Sequence, residues 1–472
     1  SGYSPKNVYV GNNPRALQTV TVQFCAYAAL EPDTDYYIAV VPITATTKNT
    51  NVSCIKVRTN SALGGETLAG MFCIGEYPYG GSKSIRLEHT EENCGFTESE
   101  NLQKKLKLIN AMGTFQRTKY WSPTEILYNL YFANGLGMNT RLNSPDSAAD
   151  VIDTANRMGT YLFGTENEPD LESKTYLKNP GAYVSYLKSV SDILKEKSPN
   201  SMLCAPATCG TEKLWWYDKI YETAQSMGYN LGDMYDVVDV HAYCKVGGGE
   251  TDGKNDGEYG YDDNLGGEAE TIPEHLFAKV EKIRKMLAKY NDNDKDIVFT
   301  ELGWSTHTQP QNETHMEAVS KERQANFVAR AYLIGSILGV KNIYSYSFQD
   351  VNKETDNAEY QFGMVDWYAK PKPAYYAYYT LSRILKNASL VGRIDTLVHP
   401  AYGAVYFDSE KDMYVTALWS ANGSKTVNMQ TAAETVLKTD IYGNSEYISP
   451  NNIQIGSAPV YIYTKDMPTV SQ

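Results

Sequence analysis

The stretch Tyr161–Asp170 reads Tyr-Leu-Phe-Gly-Thr-Glu-Asn-Glu-Pro-Asp and predicts the fold of the chain around it. It begins as a short apolar run typical of a buried strand. The strand has to end at Asn167-Glu168-Pro169, because a proline nitrogen cannot donate to a sheet ladder. A second stretch, Asp296–Trp304, reads Asp-Ile-Val-Phe-Thr-Glu-Leu-Gly-Trp and also runs from an apolar strand into a glutamate, Glu301. Carboxylates at the carboxyl ends of buried strands are typical of the functional face of a (β/α) barrel.

Strands and helices alternate on both sides of these two stretches. Eight strands with helices between them predict an α/β fold, a (β/α)₈ TIM barrel, over residues 63–388. In this order Glu168 follows the fourth strand and Glu301 ends the seventh. The predicted strands are Leu68–Ile74, Thr114–Tyr120, Gly137–Leu142, Tyr161–Thr165, Met202–Ala205, Tyr235–Val240, Ile297–Thr300 and Ile343–Phe348.

All-β segments flank the predicted barrel. Residues 1–62 are β-rich, and Leu30-Glu-Pro-Asp-Thr-Asp-Tyr-Tyr-Ile-Ala-Val resembles the later strands of a fibronectin type III module, an immunoglobulin-like fold. A full module needs about 100 residues, so this segment is either truncated or completed by another part of the chain. Ser61–Gly65 is rich in glycine and serine and predicts a linker. Residues 389–472 return to short alternating strands and predict a C-terminal β-sandwich packed on the barrel.

The composition excludes several classes of partner. The 472 residues carry a net charge of −13, which argues against nucleic acid or an anionic membrane as a partner. The sequence has no run of eighteen apolar residues, so we expect no membrane insertion. Seven cysteines form no CxxC pair and six histidines are dispersed, so no metal site and no organic cofactor are expected.

Two strands that each deliver one glutamate provide the pair of carboxylates that glycoside hydrolysis needs. On these residues the chain resembles the retaining (β/α)₈ glycoside hydrolases of clan A, over roughly residues 66 to 386. That clan places its acid/base in an Asn-Glu-Pro after strand four and its nucleophilic glutamate at the end of strand seven. The matching segments are Asn167-Glu168-Pro169 and Thr300-Glu301-Leu-Gly-Trp304. Strand eight departs from the clan, because Tyr344–Gln349 contains no tryptophan.

The resemblance implies a role for each matching residue. Glu168 would be the acid/base and Glu301 the nucleophile, so both are candidate catalytic residues. Four residues are candidates for substrate binding and positioning. Asn167 would hydrogen-bond the 2-hydroxyl of the sugar, His241 and Tyr243 follow strand six where the clan often orients its nucleophile, and Trp304 could stack on a sugar.

Alternatives to these residues stay open in the sequence. Glu166 is a competing carboxylate, since strand alternation gives it the same facing as Glu168. His241 is as compatible with a buried structural role as with a functional one. Trp215 and Trp216 are as compatible with the core as with a sugar-binding surface, and Gly247–Gly267 predicts a long loop near the site.

The sequence as a whole predicts a retaining hydrolase of β-linked glycans, with endo action on a polysaccharide favoured over exo action on short sugars. A catalytically silent carbohydrate-binding barrel is the alternative from another class. We further expect a monomer that is extracellular or at the cell surface, and Ser1-Gly2 resembles a processed end.

Overall fold

Eight parallel strands close into a barrel in the computed structural model, which describes residues 30–40, 53–75, 98–112, 117–120, 137–211, 214–244, 272–308 and 318–472. Around the barrel each strand pairs with its sequence neighbours, and the last strand pairs with the first. The predicted (β/α)₈ barrel is therefore confirmed. Its strands are β3 (Phe72–Gly75), β4 (Arg117–Tyr120), β5 (Gly137–Arg141), β6 (Leu162–Gly164), β7 (Met202–Cys209), β8 (Val237–His241), β9 (Asp296–Leu302) and β10 (Asn342–Tyr346).

Helices with one apolar face pack around the strands. The helix before β6 shows how the sequence sets a boundary, because the Ser144 hydroxyl accepts from the Asp146 N–H at 3.3 Å and Pro145 occupies the first turn. The described helices are α1 (Glu98–Ala111), α2 (Pro145–Arg157), α3 (Lys174–Lys178), α4 (Pro180–Lys197), α5 (Leu214–Ser226), α6 (His275–Ala288), α7 (Lys321–Ile337) and α8 (Pro373–Leu385).

Two of the predicted strand boundaries are wrong by four residues. Residues Leu68–Met71 form a short 3₁₀ helix, so the first barrel strand begins only at Phe72. The fifth strand continues to Cys209, past its predicted end at Ala205. Its register against β8 shifts between Pro206 and Thr208, and this irregularity carries the strand past a proline that cannot donate a ladder hydrogen bond.

The predicted linker Ser61–Gly65 is instead part of the barrel floor. Leu63 is 6% exposed and packs with Leu162, Val237 and Val298 in one apolar cluster. The Leu63 carbonyl accepts from Asn342 Nδ2 at 3.1 Å. The turn requires glycine at Gly64, whose φ is +119° and where a Cβ would come within 3.1 Å of the Gly70 Cα.

Two antiparallel sheets follow the barrel, as predicted for the C-terminal segment. The first sheet begins at Ala388, beside the predicted domain boundary at residue 389. An apolar cluster that includes Val405, Leu418, Val427 and Ile453 joins the two sheets face to face. The strands are β11 (Ala388–Arg393), β12 (Ala401–Asp408), β13 (Met413–Ser420), β14 (Lys425–Gln430), β15 (Val436–Thr439), β16 (Ser445–Ile448), β17 (Ile453–Ile455), β18 (Val460–Thr464) and β19 (Thr469–Ser471).

A buried ion pair joins the first of these sheets to the barrel helices. Arg330 of α7 donates through Nε to Glu274 Oε1 at 2.8 Å and through Nη2 to Glu274 Oε2, and both side chains are fully buried. Trp419 of β13 donates to the same Glu274 Oε1 at 2.8 Å. Arg330 Nη1 also donates to the Ser457 hydroxyl at 3.2 Å. The C-terminal sheet and two barrel helices therefore share one carboxylate.

At the N-terminal end, β1 (Asp35–Val40) and β2 (Ser53–Arg58) form an antiparallel pair. Both strands lie within the segment that the sequence predicts to be β-rich. The rest of residues 1–62 lies mostly outside the described ranges, so the fibronectin-like assignment stays a prediction, as does the three-domain division. Among the described helices, none combines the length and the apolar character that a membrane span would need.

We expect Glu274→Gln to destabilise the protein by about 3–5 kcal/mol, because the substitution leaves Arg330 charged and buried without its counter-ion. Thermal and urea unfolding followed by circular dichroism measure the change. Lys285→Ala is the matched control, since it breaks only the exposed pair with Glu281 and should change the free energy of unfolding by about 0.5 kcal/mol or less. Equal effects of the two substitutions would contradict the assigned role of the buried pair.

Candidate active site

Glu168 lies on the loop that follows β6, the fourth barrel strand. Its backbone is in the left-handed region with φ of +37°, which is uncommon for a residue with a side chain. Neighbouring hydrogen bonds hold this conformation, since its N–H donates to the Ala207 carbonyl at 3.1 Å and its own carbonyl accepts from the N–H groups of Leu171 and Glu172 at 2.8 Å. The carboxylate of Glu168 is thereby fixed at the carboxyl end of the barrel, and the residue is 8% exposed.

Glu301 lies within β9, the seventh barrel strand, and is 7% exposed. Its Oε2 atom accepts a hydrogen bond from the Tyr243 hydroxyl at 3.0 Å. Burial, and then the nearby Glu301 carboxylate, hold the pKa of Tyr243 well above its ordinary value. Tyr243 therefore stays protonated and serves as a hydrogen-bond donor to Glu301.

His241 ends β8 and lies between the two carboxylates. Its Nδ1 atom is 2.7 Å from Glu168 Oε1 and 3.4 Å from Glu301 Oε2, and the side chain is fully buried. One ring nitrogen of His241 and one carboxylate oxygen of each glutamate all lie within 4.8 Å of one another. The resemblance predicts that His241 orients Glu301, and the structure brings it nearer to Glu168.

Arg141 is a site residue that the sequence analysis did not identify. It ends β5, is 5% exposed, and places Nη2 3.7 Å from Glu301 Oε1. Burial lowers the pKa of Arg141, while the charges of Glu301 and Asp239 oppose that change. The same Nη2 atom donates to Asn167 Oδ1, and Asn167 Nδ2 donates to Glu172 Oε1 at 2.6 Å. The available sequence signal was an arginine near the end of a predicted strand, Gly137–Leu142.

Below the site, Asp239 occupies the barrel interior. It lies two residues before His241 on β8, so strand alternation directs both side chains inward. Its carboxylate accepts from the Thr300 hydroxyl at 2.8 Å and from the Thr300 N–H at 3.3 Å, and Asp239 is 1% exposed. Thr300 precedes Glu301, so this contact ties the backbone that carries Glu301 to the strand that carries His241.

Three aromatic rings form one wall next to Glu301. The Tyr243 ring meets the Tyr346 ring edge-on at 6.2 Å, and Phe362 lies 5.3 Å from Tyr346. Tyr346 ends β10 and is only half-buried. Strand eight has no tryptophan, and Tyr346 is the aromatic residue at its end.

The remaining sequence candidates are not members of the carboxylate cluster. Glu166 is half-buried and accepts from the Tyr176 hydroxyl at 3.5 Å, and burial raises its pKa. Trp304 is 4% exposed and packs edge-on against Phe327 of α7, so its sugar-stacking role stays a prediction. Trp216 is fully buried in the core and Trp215 is partly buried against it. The loop Gly247–Gly267 lies outside the described residues.

The cluster of Glu168, His241 and Glu301 has the donor types of a divalent-metal site. Two observations favour a hydrogen-bonded cluster instead. The 2.7 Å contact between His241 and Glu168 is a normal hydrogen-bond distance, and it occupies a nitrogen that a metal ion would need. The Arg141 guanidinium already places a positive charge 3.7 Å from Glu301, which would repel a second cation.

We therefore expect the purified protein to hold well below one equivalent of metal after incubation with zinc and dialysis. Inductively coupled plasma mass spectrometry measures the content, and EDTA should leave the thermal melting temperature unchanged. One equivalent of zinc in the wild type that disappears in Glu301→Ala would overturn the hydrogen-bonded interpretation.

Comparison with solved structures identifies the architecture. A family 39 glycoside hydrolase from the gut symbiont Bacteroides cellulosilyticus WH2 matches 92% of this chain and 88% of its own, with a TM-score of 0.59 and 16% identity. A monomeric beta-xylosidase from Caulobacter crescentus CB15 matches 83% and 95% of the two chains, with a TM-score of 0.52 and 13% identity. A family 51 alpha-L-arabinofuranosidase from Thermotoga petrophila RKU-1 matches 77% and 90%, with a TM-score of 0.53 and 10% identity.

Neither a protein-family model nor a curated protein matches the sequence. At these low identities the structural matches show the fold: this chain has the barrel architecture of solved glycoside hydrolases of families 39 and 51. The barrel strands that carry Glu168 and Glu301 are the fourth and the seventh, as the sequence predicts.

Proposed function

We propose that this protein is a retaining glycoside hydrolase that cleaves β-linked glycans through Glu168 and Glu301. The observation that carries the proposal is the short separation of the two carboxylates: one oxygen of Glu168 and one oxygen of Glu301 lie within 4.8 Å of each other. Retaining enzymes hold their carboxyl groups about 5–5.5 Å apart, whereas inverting enzymes need about 6.5–9.5 Å to admit a water molecule. The short separation supports a double displacement.

In the first step Glu301 attacks the anomeric carbon and forms a covalent bond to the sugar, while Glu168 gives its proton to the leaving oxygen. The hydrogen bond from Tyr243 at 3.0 Å holds Glu301 Oε2 in place, which leaves Oε1, on the Arg141 side, for the attack. In the second step Glu168 removes a proton from water, and the water oxygen displaces Glu301 from the sugar. Configuration at the anomeric carbon is retained because the carbon is inverted twice.

His241 and Tyr346 both support this reaction in our proposal. With its proton on Nδ1, His241 donates to Glu168 Oε1 at 2.7 Å and fixes the direction of that carboxylate. Tyr346 presents a half-buried ring beside Tyr243 and offers a flat apolar surface to one face of the sugar.

For the substrate we propose a β-linked polysaccharide or oligosaccharide, with endo action on a polymer. Exo action on short sugars is the second candidate, because one similar solved structure is described as a beta-xylosidase. Reducing-sugar release from β-glucans, β-mannans, xylans and β-galactans, measured beside aryl β-glycosides, separates the two. A mixture of oligosaccharides from the start indicates endo action, and a single monosaccharide indicates exo action.

We also propose that the protein is a monomer that is extracellular or at the cell surface.

Glu301→Ala should reduce turnover by at least about 10⁴-fold, because no covalent glycosyl-enzyme can form without the nucleophile. A fluorinated slow substrate should add the mass of one glycosyl unit to wild type, at the peptide that contains Glu301. Glu166→Ala is the matched control and should lose less than about tenfold, since Glu166 lies against Tyr176. Full activity of Glu301→Ala, or a silent wild type that only binds glycan, would refute the proposal.

Glu168→Ala should lose activity on natural glycans and keep fast glycosylation by dinitrophenyl glycosides, because a good leaving group needs little protonation. Its second step should be slow, so a burst of dinitrophenol is expected. Azide needs no general base, so added azide should restore turnover and yield a β-glycosyl azide. An α-azide would indicate single-step inversion, and wild-type activity of Glu168→Ala on natural glycan would remove this residue from the mechanism.

A further inference from the structure

The contacts of Asn167 point to an additional residue in the site, Glu172. Arg141 donates through Nη2 to Asn167 Oδ1, and Asn167 donates through Nδ2 to Glu172 Oε1 at 2.6 Å. Because Arg141 Nη2 is also 3.7 Å from Glu301 Oε1, these four side chains connect the candidate nucleophile to the protein surface. We propose that Glu172 is a positioning residue that sets the orientation of the Asn167 amide toward the sugar; this rests on the proposed function.

The chemistry of the three groups allows one orientation of the amide. A guanidinium only donates hydrogen bonds and an ionised carboxylate only accepts them. The oxygen of Asn167 therefore faces Arg141, and its nitrogen faces Glu172. A rotation of the amide by half a turn would place donor against donor and acceptor against acceptor, so Glu172 and Arg141 together exclude the flipped form.

The orientation matters because it presents an N–H group where the sugar is held. The amide nitrogen has two hydrogens, and the contact with Glu172 uses one of them. Asn167 directly precedes Glu168, so the second hydrogen belongs to a group adjacent to the acid/base. Hydrogen bonds to the 2-hydroxyl strengthen in the transition state of retaining glycosidases. An Asn167 amide held in this orientation donates to the 2-hydroxyl and lowers the activation free energy of glycosyl transfer. The flipped amide presents its oxygen instead and does not.

Glu172 is suited to this role and to a clean test. Its N–H donates to the Glu168 carbonyl at 2.8 Å, so the turn that carries the acid/base also fixes the backbone of Glu172. The residue itself is exposed, so its substitution leaves no cavity and no unpaired group in the core. Asn167 is only half-buried and relies on its two side-chain partners for orientation.

The experiment compares an aryl β-glycoside that wild type hydrolyses with the same glycoside lacking its 2-hydroxyl. Glu172→Ala should lower kcat/KM about tenfold on the first substrate and less than about twofold on the 2-deoxy substrate, because the lost donor has no partner there. Glu172→Gln retains an acceptor oxygen and should recover most of the activity. Glu196→Ala, an exposed glutamate on α4, is the matched control and should behave as wild type on both substrates.

The outcomes separate this inference from the function on which it rests. An equal loss of kcat/KM on both substrates would indicate a structural role for Glu172, and no loss on either would leave it without a role. Either result would overturn the inference and leave the proposed function standing. A wild-type protein that hydrolyses no glycoside and forms no covalent adduct would overturn the proposed function. Circular dichroism of both Glu172 variants shows whether the fold is retained, and Glu172→Gln decides the question if the alanine variant unfolds.

Discussion

The site is organised by one constraint: two carboxylates that are held close together inside a protein repel each other. At 4.8 Å two unit negative charges repel by roughly 3.5 kcal/mol for an effective dielectric constant of about 20. Neighbouring groups must offset this repulsion. Arg141 brings a positive charge to Glu301, Tyr243 donates a hydrogen bond to it, and His241 lies between the two acids. Each of these groups comes from a strand end or the residues that follow it.

The barrel fold explains why residues so far apart in sequence meet. Parallel strands in a closed barrel have their carboxyl ends at one rim, so β5, β6, β8 and β9 deliver Arg141, Glu168, His241 and Glu301 to one place. Asp239 and Thr300 connect two of these strands one layer lower. The buried pair of Glu274 and Arg330 joins two outer helices to the C-terminal sheet through Trp419. The strands that carry the site are therefore tied to one another by buried polar contacts below it.

The sequence predicts what depends on local pattern. Pro169 and the apolar run before it place Glu168 after a strand, and the same pattern places Glu301, so both glutamates and their strands were predictable. The floor residue Leu63 was not, because a short apolar pair among glycines resembles a linker until the barrel closes over it. Arg141 was not predicted either. Its significance comes from a distance of 3.7 Å to a residue on another strand, which no local pattern encodes.

The division of labour between His241 and Tyr243 shows the same limit in more detail. Both follow strand six, and a resemblance alone assigns both to the nucleophile. In the folded chain the Tyr243 hydroxyl reaches Glu301, while the shorter contact of His241 is to Glu168. The side chains differ in what they offer: burial keeps Tyr243 protonated, so its hydroxyl always has a proton to donate, whereas each nitrogen of a histidine ring is a donor or an acceptor according to the tautomer. A fixed donor suits a carboxylate that must stay ionised to attack, which is the role proposed for Glu301. The two contacts therefore support the roles proposed for Glu301 and Glu168.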